Sequence, residues 1–445
     1  MNLPENFKSK MQNLLGNDYD KFIESLNEQI EKAITINTNR IDMETFSELS
    51  DFQYTPIPDI PNGYYVKNLK YSRSLLSHLG LIYSQEPSAM YPVELLDVKK
   101  NDIVLDICAA PGGKSTQILE KLNGSGLLVS NEIEYNRAKI LYENLNKLGY
   151  NNYAITNNSP TDYEKTNLLF DKILVDAPCG GEGMFRRDNF DFNSYKNINV
   201  ITNAKRQLNI LNSVKNLLRA GGRIVYSTCT YDIHENEMVV ADFLSQNPEF
   251  HLIKIDGFKN SLTSGVTIEN CNTENCYRRY PHLFRGEGQF MAVMQKDGSE
   301  TVELEDFQNE KFKPVFRKGL DEINKLFKGI ADISDFKIYT KNDVYFAVEN
   351  ALDLTGLNVL NIGTIMCSGK PLKIHHNFYH TFANRFFNKV DLNDNDATKY
   401  ISGLELDVNA PNAVVAVTNH NIALGGGKIT NNKLKNYYPK ELRIK

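Results

Sequence analysis

The central part of the chain alternates between short apolar runs and longer amphipathic patterns. Apolar runs lie at 102–107, 126–130, 153–156, 172–175 and 223–226, and helical patterns with apolar residues three and four apart separate most of them. Parallel strands need long crossover connections, which such an alternation supplies. The alternation therefore predicts an α/β fold with a mainly parallel, Rossmann-like sheet, in which ligands bind at the carboxyl ends of the strands.

The segments on either side of this alternation have a different character. A chain of 445 residues is too long for one ordinary core and predicts several units. Proline-rich turns close a first unit, and a strongly acidic stretch near residue 300 precedes a C-terminal part with short β-like runs. The Asn- and Gly-rich residues 256–288 are predicted to be a loop. The predicted divisions are an N-terminal extension at 1–75, a central domain at 76–297, an intermediate or linker segment at 298–370 and a small β-rich module at 371–445.

The composition describes a soluble globular protein, with 41% hydrophobic and 24% charged residues. No apolar run approaches the roughly 18 residues of a membrane span. The first residues lack the basic and apolar regions of a signal peptide, so we expect a cytoplasmic protein without membrane contact. Six irregularly spaced cysteines are expected to be free thiols. The formal net charge of -5 disfavours a uniformly basic nucleic-acid binder, although the sum hides a lysine-rich C-terminal end.

A glycine-containing loop joins the first predicted strand to its helix. The loop is Asp106-Ile107-Cys108-Ala109-Ala110-Pro111-Gly112-Gly113-Lys114-Ser115. A phosphate-binding loop is a competing interpretation, but that motif requires a glycine where this chain has Cys108. Acids end the first two strands, Asp106 and Glu132, and suit a cofactor with a ribose and cationic groups, S-adenosylmethionine. The alternative for Glu132 is a helix cap favoured by the helix dipole.

Two cysteines follow two other predicted strands. Cys179 lies in the stretch 176–187, and Cys229 lies in Ser227-Thr228-Cys229-Thr230. Because parallel strands end at the same side of a sheet, we expect both thiols to face one crevice. A metal site is not predicted, because two thiols about 50 residues apart without a C-x-x-C pair are too few ligands.

A covalent mechanism explains why two thiols are present. C5 of a pyrimidine is a poor nucleophile until a thiolate adds at C6, which makes C5 enamine-like and able to attack a sulfonium methyl. A base must then remove the C5 proton so that the enzyme can be eliminated, and a second thiol nearby can assist that release. Asp176 would stabilise protonation at N3 of the ring through a hydrogen bond to the base edge.

These residues resemble the NOL/NOP/Sun family of RNA (cytosine-5-)-methyltransferases. The resemblance rests on the loop at 106–115, on Asp176-Ala177-Pro178-Cys179 and on Ser227-Thr228-Cys229-Thr230, and it extends over nearly the whole chain. The opening Leu3-Pro4-Glu5-Asn6-Phe7 and the ending Lys435-Asn436-Tyr437-Tyr438-Pro439-Lys440 are similar to the bacterial small-subunit rRNA subgroup. The resemblance implies a Rossmann-like class I methyltransferase domain between an N-terminal RNA-binding extension and a C-terminal PUA-like RNA-binding module.

The resemblance also implies individual roles. Cys229 would be the nucleophile on C6, Cys179 would assist product release, and Asp176 and Lys114 would contact cofactor and cytosine. Asn158 stands where the family usually has an acid near the adenine, and Gln289 stands where it usually has a histidine, so no catalytic base is assigned there. The residues expected to bind S-adenosylmethionine are Cys108, Ala109, Ala110, Pro111, Gly112, Gly113, Lys114, Glu132, Asn158 and Asp176.

The expected substrate is 16S rRNA or the small ribosomal subunit, bound by a monomer. The target base must leave its stack to reach the thiols. The Arg186-Arg187 pair is predicted to contact flanking phosphates, with Arg278, Arg279 and Arg285 as further candidates. The same chemistry on tRNA and a non-catalytic RNA-binding ribosome-assembly factor stay open as alternatives. A DNA cytosine methyltransferase is disfavoured, because it would leave the second thiol unexplained.

Overall fold

The N-terminal part of the molecule carries a small antiparallel sheet. The computed structural model describes residues 3–71, 74–188, 190–196, 199–258, 260–269 and 271–444. The N-terminal elements are α1 (Glu5–Leu15), α2 (Tyr19–Ser25), β1 (Ala33–Ile36), α3 (Met43–Leu49), β2 (Gln53–Pro56), β3 (Gly63–Lys67), α4 (Leu75–His78) and β4 (Ile82–Ser84). The strands lie in the order β2-β3-β1-β4. Asp42 caps α3 by accepting a hydrogen bond from Thr45 N at 2.8 Å.

The central part contains the predicted strand and helix alternation. Its elements are α5 (Tyr91–Leu96), β5 (Ile103–Asp106), α6 (Gly113–Leu122), β6 (Leu127–Asn131), α7 (Tyr135–Asn146), β7 (Tyr153–Thr156), α8 (Pro160–Tyr163), β8 (Phe170–Asp176), α9 (Phe192–Lys196), α10 (Val200–Val214), β9 (Leu218–Thr228), α11 (Glu237–Gln246), β10 (Phe250–Leu252), β11 (Thr263–Ser264), β12 (Tyr277–Arg279) and β13 (Gln289–Lys296). The sheet runs β11-β12-β13-β9-β8-β5-β6-β7, and β10 pairs with β13. Strands β9, β8, β5, β6 and β7 are parallel, which confirms the predicted Rossmann-like fold.

The parallel strands are apolar because helices cover both faces of the sheet. Leu105 of β5 lies opposite Val129 of β6 and Ile173 of β8, and all three side chains are fully buried. Each of these strands ends in a polar residue. The last residues of these strands are Asp106, Asn131, Thr156, Asp176 and Thr228. The carboxyl ends of the strands therefore bring polar side chains together on one side of the sheet.

The prediction of a loop over residues 256–288 is wrong, because this region contains β11 and β12. Strand β12 consists of Tyr277, Arg278 and Arg279, and it pairs with β13. Its two arginines are buried through polar contacts. Apolar periodicity does not reveal a strand whose buried side chains are charged.

The C-terminal part adds two further sheets. Its elements are β14 (Lys313–Pro314), α12 (Lys318–Phe327), β15 (Lys337–Lys341), β16 (Val344–Val348), β17 (Val359–Ile362), β18 (Thr364–Ser368), β19 (Lys373–Ile374), α13 (His376–Thr381), β20 (Lys389–Leu392), α14 (Asp394–Ile401), β21 (Leu406–Asp407), β22 (Val414–Asn419), β23 (Ile422–Thr430) and β24 (Lys433–Asn436). One sheet has the order β14-β15-β16-β18-β19, and the other has the order β20-β22-β23-β24-β21. The predicted β-rich C-terminal module is confirmed.

Strand β17 leaves this part and joins the central sheet. It pairs antiparallel with β7, with Val359 opposite Thr156 and Ile362 opposite Ala154. The segment 298–370 therefore contributes a strand to the same sheet as the predicted central domain, and the limits of the four divisions stay predictions. Across the described residues, no helix combines the length and apolar character needed to cross a membrane.

Candidate active site

Cys179 and Cys229 meet beyond the carboxyl ends of the parallel neighbours β8 and β9. Their Sγ atoms are 3.4 Å apart, within hydrogen-bonding distance for two thiols. The register explains the meeting, because Asp176 at the end of β8 lies opposite Ser227 near the end of β9. A hydrogen bond with Cys229, together with burial, raises the pKa of the Cys179 thiol well above its usual value. Cys179 is therefore a protonated thiol that can donate to Cys229.

The Asp176 carboxylate is held by donors from three elements. Its Oδ2 accepts from Lys114 Nζ at 2.7 Å, and its Oδ1 accepts from Ser227 Oγ at 2.7 Å. Gln289 Nε2 of β13 lies 3.4 Å from the same Oδ1. Burial lowers the pKa of Lys114, but the attraction of Asp176 outweighs it and raises the pKa overall. Lys114 is therefore an ammonium group that fixes the orientation of the carboxylate.

A cavity of about 290 Å³ opens beside these groups. The wall also includes Asp106, Glu287 and Gln289. The sequence-predicted residues on its wall are Cys108, Ala109, Ala110, Pro111, Gly113, Lys114, Asp176, Arg187 and Cys229. The predicted residues that are not on its wall are Gly112, Glu132, Asn158, Cys179 and Arg186. A ligand in this cavity can therefore contact both the glycine-containing loop and one of the two thiols.

The loop before α6 turns sharply into the helix. Gly112 has a φ of 115°, a conformation that glycine adopts without steric cost, and its carbonyl accepts from Thr116 N at 2.8 Å. Ala109 N donates to Asn131 O at 2.8 Å, which ties the loop to the end of β6. The N-terminal end of α6 therefore faces the cavity, where its dipole favours a ligand carboxylate.

Asp106 is a buried acid on the cavity wall, and only one of its two carboxylate oxygens accepts a hydrogen bond from the described residues. Its Oδ2 accepts from Ser115 Oγ at 2.7 Å, whereas Oδ1 has no hydrogen-bond partner in the described part of the chain. Burial raises the pKa of Asp106 to about 7, against the opposing hydrogen bond from Ser115. A buried carboxylate oxygen without a partner fits a ligand that brings a donor or a positive charge. The described residues contain no cluster of three or more His, Cys, Asp or Glu suited to a metal ion.

Glu132 and Asn158 lie beyond the ends of β6 and β7. Glu132 is 2% exposed, and its Oε2 is 3.3 Å from Arg137, which also donates to Ala110 O at 2.7 Å. Arg137 thus links the acid to the glycine-containing loop. Asn158 Oδ1 accepts from Asn358 N at 2.9 Å. The predicted adenine residue is therefore hydrogen bonded to the segment that enters β17.

Two contacts in the site were not predicted from the sequence. Ser227 donates to Asp176, and the strand register that places the two residues opposite each other could have revealed it. Asn358 is separated from Asn158 by 200 residues, and no motif marks it. Only the pairing of β17 with β7 brings these two residues together.

The Arg186-Arg187 pair lies at the rim of the cavity. The Arg187 side chain is 48% exposed and forms an ion pair with Glu287 at 2.7 Å. Arg186 donates to Gly286 O at 3.1 Å and to Gln29 O at 3.0 Å. Both guanidinium groups therefore hold the loops around the cavity, and Arg187 keeps an exposed side.

The expectation that Arg278 and Arg279 contact RNA phosphates is wrong. Each side chain is 2% exposed, and Arg278 forms an ion pair with Glu237 at 2.5 Å. Both arginines belong to the buried strand β12, where their guanidinium groups make hydrogen bonds to buried protein groups instead of facing RNA. Arg285 is 48% exposed and is held by Glu31 at 2.9 Å.

Family models match three consecutive parts of the chain. Residues 3–87 match the N-terminal domain of 16S rRNA methyltransferase RsmF. Residues 93–295 match 16S rRNA methyltransferase RsmB/F, and residues 387–444 match the methyltransferase RsmF PUA domain. These matches correspond in order to the N-terminal sheet, the central sheet and the C-terminal sheet that contains β20 to β24.

Relatives of similar length decide the family. The ribosomal RNA small subunit methyltransferase F of Shewanella piezotolerans is 30% identical over 447 residues, which cover 95% of this chain and 93% of the relative. The chain belongs to the RsmB/F family of 16S rRNA methyltransferases. The Vibrio campbellii protein of the same name is 29% identical, with 99% of this chain and 97% of the relative covered. The RsmB/F assignment makes the chain an S-adenosylmethionine-dependent rRNA methyltransferase with a C-terminal PUA domain.

Solved structures agree with this assignment. A methyltransferase homolog protein from Pyrococcus horikoshii is 28% identical with a TM-score of 0.58, and the match covers 66% of this chain and 95% of that one. NSun6 from Pyrococcus horikoshii, solved with SFG, has a TM-score of 0.56 at 21% identity, covering 66% of this chain and 99% of that one. The second likeness shows the shared fold. The predicted family and cofactor, S-adenosylmethionine, are confirmed.

Proposed function

We propose that this RsmB/F methyltransferase methylates C5 of a cytosine in 16S rRNA through a covalent bond between Cys229 Sγ and C6 of the base. The observation that carries the proposal is the pair of thiols 3.4 Å apart, one of them on the cavity wall. A ring nitrogen or a ribose oxygen already has a lone pair for methyl transfer, whereas C5 has none until a nucleophile adds at C6. A thiol in this position is therefore expected for C5 methylation and is not required for methylation of a ring nitrogen or a ribose oxygen.

Cys229 begins the reaction as a thiolate. Its Sγ forms a bond to C6, and the electron pair of the C5–C6 double bond is then available at C5. The protonated Cys179 thiol donates a hydrogen bond to Cys229 Sγ. This hydrogen bond keeps the two sulfur atoms side by side at the start of the reaction.

Asp176 would bind the edge of the cytosine. A carboxylate at N3 favours protonation of that nitrogen, which draws electron density from C6 and promotes addition of the thiolate. The ammonium group of Lys114 and the hydroxyl of Ser227 hold Asp176 for this contact. The Asp176 carboxylate is therefore already held in one orientation before the cytosine binds.

The cofactor would occupy the other part of the cavity. S-adenosylmethionine supplies an electrophilic methyl group when bound. The unpartnered Oδ1 of Asp106 would accept from its cationic groups, and the loop from Cys108 to Lys114 would surround it. Glu132 would hold the ribose, and Asn158 would contact the adenine.

Release of the product would restore the aromatic ring. The proton on C5 passes to solvent water, and its electron pair re-forms the C5–C6 double bond. The bond between C6 and Cys229 Sγ then breaks, with its electron pair going to the sulfur. The Cys179 thiol stabilises the departing thiolate by donating to it, at the distance of 3.4 Å that separates the two sulfur atoms.

The substrate proposal combines the family with the charged rim. Arg187, with its exposed side, and Arg186 would hold phosphates next to the flipped base, and the PUA domain would bind a further part of the rRNA. We place the reaction in the cytoplasm, where the small subunit is assembled, and propose that one protomer suffices, because both thiols and the cavity come from one chain.

Two cysteine variants test this proposal with a tritiated methyl donor. Cys229→Ala should lower methyl transfer to 16S rRNA by about 10⁴-fold or more, because no bond to C6 can form. Cys179→Ala should instead accumulate a slowly migrating protein–RNA band on a denaturing gel. Substantial turnover by Cys229→Ala would contradict the assignment of the nucleophile.

The same assay identifies the substrate. Isolated small subunits, naked 16S rRNA and bulk tRNA should be compared at equal nucleotide concentration, and digestion of the product to nucleosides should yield labelled 5-methylcytidine. Label in tRNA alone would support the tRNA alternative. Absence of label from every RNA, with retained binding to the small subunit, would support a non-catalytic assembly factor.

A further inference from the structure

A buried carboxylate, Glu182, connects the two loops that carry the thiols. Glu182 lies three residues after Cys179 and is 1% exposed. Its Oε2 accepts from Thr230 Oγ1 at 2.9 Å and from Tyr231 N at 3.1 Å, and both donors belong to the loop of Cys229. Its Oε1 accepts from Tyr195 OH at 2.7 Å. One carboxylate therefore fixes the distance between the two loops through charge-assisted hydrogen bonds.

A second carboxylate makes the same connection in the opposite direction. Glu235 lies six residues after Cys229 and is 1% exposed. It accepts from Gly180 N, directly after Cys179, at 3.0 Å, and from Gln207 Nε2 at 2.7 Å. Each thiol loop thus contains one buried carboxylate that accepts hydrogen bonds from the other loop.

The backbones of the two thiol loops are in direct contact between these acids. Gly183 N donates to the carbonyl of Cys229 at 2.8 Å. A Cβ at Gly183 would lie 2.9 Å from that carbonyl oxygen and 2.8 Å from Gly288 O. The loop of Cys179 therefore packs directly against the backbone of Cys229.

The N-terminal helix α1 completes the connection. Lys10 Nζ forms ion pairs with Glu182 and with Asp232, the latter at 2.8 Å. Burial lowers the pKa of Lys10, but the two acids outweigh it and raise the pKa overall. Phe7 of the same helix packs edge-on against Phe185, with ring centroids 4.8 Å apart. Helix α1 therefore contacts both thiol loops and neutralises the acid between them.

The two thiols depend on these contacts to different degrees. Cys229 directly follows β9, whose register with β8 and β13 fixes its backbone. Cys179 lies beyond the end of β8, in a loop held by Glu182 and Glu235. Loss of the Glu182 contacts should therefore move Cys179 away from Cys229 before it disturbs Cys229 or Asp176.

We propose that Glu182, held by Lys10 of the N-terminal helix, is a positioning residue that keeps the Cys179 thiol beside Cys229 for release of the methylated base. This inference rests on the proposed roles of the two cysteines. The N-terminal region thereby controls the breaking of the covalent bond, in addition to any contact with RNA.

Glu182→Gln in the full-length protein tests the proposal. The amide oxygen can still accept from Thr230 Oγ1 and Tyr231 N, but the amide NH2 group cannot accept from Tyr195 OH or form the ion pair with Lys10, so the contact with the N-terminal helix is lost. With 16S rRNA and S-adenosylmethionine, the first turnover should stay within about threefold of wild type while later turnovers slow by about 30-fold. The RNA-linked band should increase in parallel, a change that general loss of folding does not produce.

Matched variants separate positioning from stability. Glu94→Gln removes another largely buried acid that pairs with a lysine, Lys121 at 2.8 Å, and should leave the band and the later turnovers unchanged. Lys10→Met should reproduce the Glu182→Gln effect, whereas Lys8→Met in the same helix should not, since Lys8 contacts only Glu5 among the described partners. If Glu182→Gln fails to fold, Thr230→Val replaces it in the test. This variant removes a single donor to Glu182 and should slow the later turnovers to a smaller degree.

The outcomes distinguish this inference from the function on which it rests. Accumulation of the band in Cys179→Ala, with Glu182→Gln indistinguishable from Glu94→Gln, would overturn the positioning role and leave the covalent mechanism intact. A covalent band that persists in Cys229→Ala would overturn the mechanism itself. Equal slowing of first and later turnovers in Glu182→Gln, without a band, would also refute the inference.

Discussion

The two ends of the proposed active site are assembled from different parts of the chain. At the thiol end, Cys179 and Cys229 are separated by 50 residues and are joined by local acids and by the N-terminal helix. At the other end, Asn158 is hydrogen bonded to Asn358, 200 residues away. In the proposed mechanism, the covalent chemistry therefore depends on the central domain and the N-terminal helix, whereas the proposed adenine contact also depends on the C-terminal part. Variants at the two ends should therefore affect different kinetic constants.

Among the variants that compare the two ends, Asp176→Asn at the thiol end should have the largest effect. The variant leaves Lys114 without its carboxylate and weakens the contact with N3, so kcat should fall by about 10² to 10³-fold. The affinity for S-adenosylmethionine should fall much less, because Asp176 is only one of several residues expected to contact the cofactor. Isothermal titration and methyl-transfer kinetics measure the two quantities separately. Asp171→Asn provides the control, because Asp171 is at the other end of β8 and pairs with Arg219 at 2.6 Å. A comparable loss of kcat in both variants would remove the distinction between the two ends.

Asp106 is on the cavity wall, and its ionisation should change the affinity for the cofactor. Its pKa is raised to about 7, so raising the pH from 5.5 to 7.5 ionises the carboxylate and should tighten binding of the cationic cofactor by about tenfold per pH unit below 7. Asp106→Asn should flatten this dependence, and Asp102→Asn, at the start of β5, should not. A pH dependence unchanged in Asp106→Asn would contradict the assignment of this carboxylate.

The same pKa shift has the opposite effect on the stability of the protein without cofactor, which should fall as the pH rises. The folded state binds the Asp106 proton more tightly than the unfolded state, in which the pKa is near 3.8. The contribution of this group to stability is therefore complete below about pH 4 and is lost as the pH rises to about 7. Thermal unfolding of the unliganded protein across this range, compared with Asp106→Asn, measures it.

A smaller effect is expected at the adenine end. Asn158→Ala removes the acceptor for Asn358 N and should raise the dissociation constant of S-adenosylmethionine by about five- to tenfold, with kcat at saturation preserved. Hydrogen exchange at the Asn358 amide should become faster. Asn361→Ala is the control, since Asn361 lies in β17 and donates within that segment to Gly363 O. A fall in kcat rather than in affinity would show that the adenine end is part of the chemistry.

The smallest effect is expected at the rim. Arg187→Gln should raise the dissociation constant for 16S rRNA by about threefold and reduce the dependence of log affinity on log salt by about one. Arg385→Gln removes another ion-paired arginine, bonded to Asp335 at 2.8 Å in the C-terminal part, and serves as the comparison. Equal salt dependence in wild type and Arg187→Gln would exclude a phosphate contact by this residue.

Much of the thiol end follows from the sequence. The apolar runs predict neighbouring parallel strands, and residues directly after such strands must share one side of the sheet. Cys179, Cys229 and Asp176 stand in these positions, and the structure brings them together with Lys114 from the first helix. Positions within one or two residues of a strand end are therefore predictable from local patterns.

Contacts made by polar residues far from a motif were not predictable. Arg278 and Arg279 have the composition of a surface patch, yet burial of a charged pair depends on a partner such as Glu237 that only the tertiary structure supplies. Asn358 likewise has no apolar pattern of its own that would place it beside Asn158. Sequence patterns report which face of an element is apolar, but they do not report which distant polar group meets it.

Strand β17 also sets the order in which the enzyme can be completed. A ribosome makes β7 long before β17, and the two adjoining residues Asn158 and Asn358 are 200 positions apart. At about 5 to 20 residues per second, the outer edge of β7 stays unpaired for roughly 10 to 40 s during synthesis. Such an edge can pair with another nascent chain. The central sheet of this methyltransferase is therefore complete only after the ribosome has synthesised the C-terminal segment that contains β17.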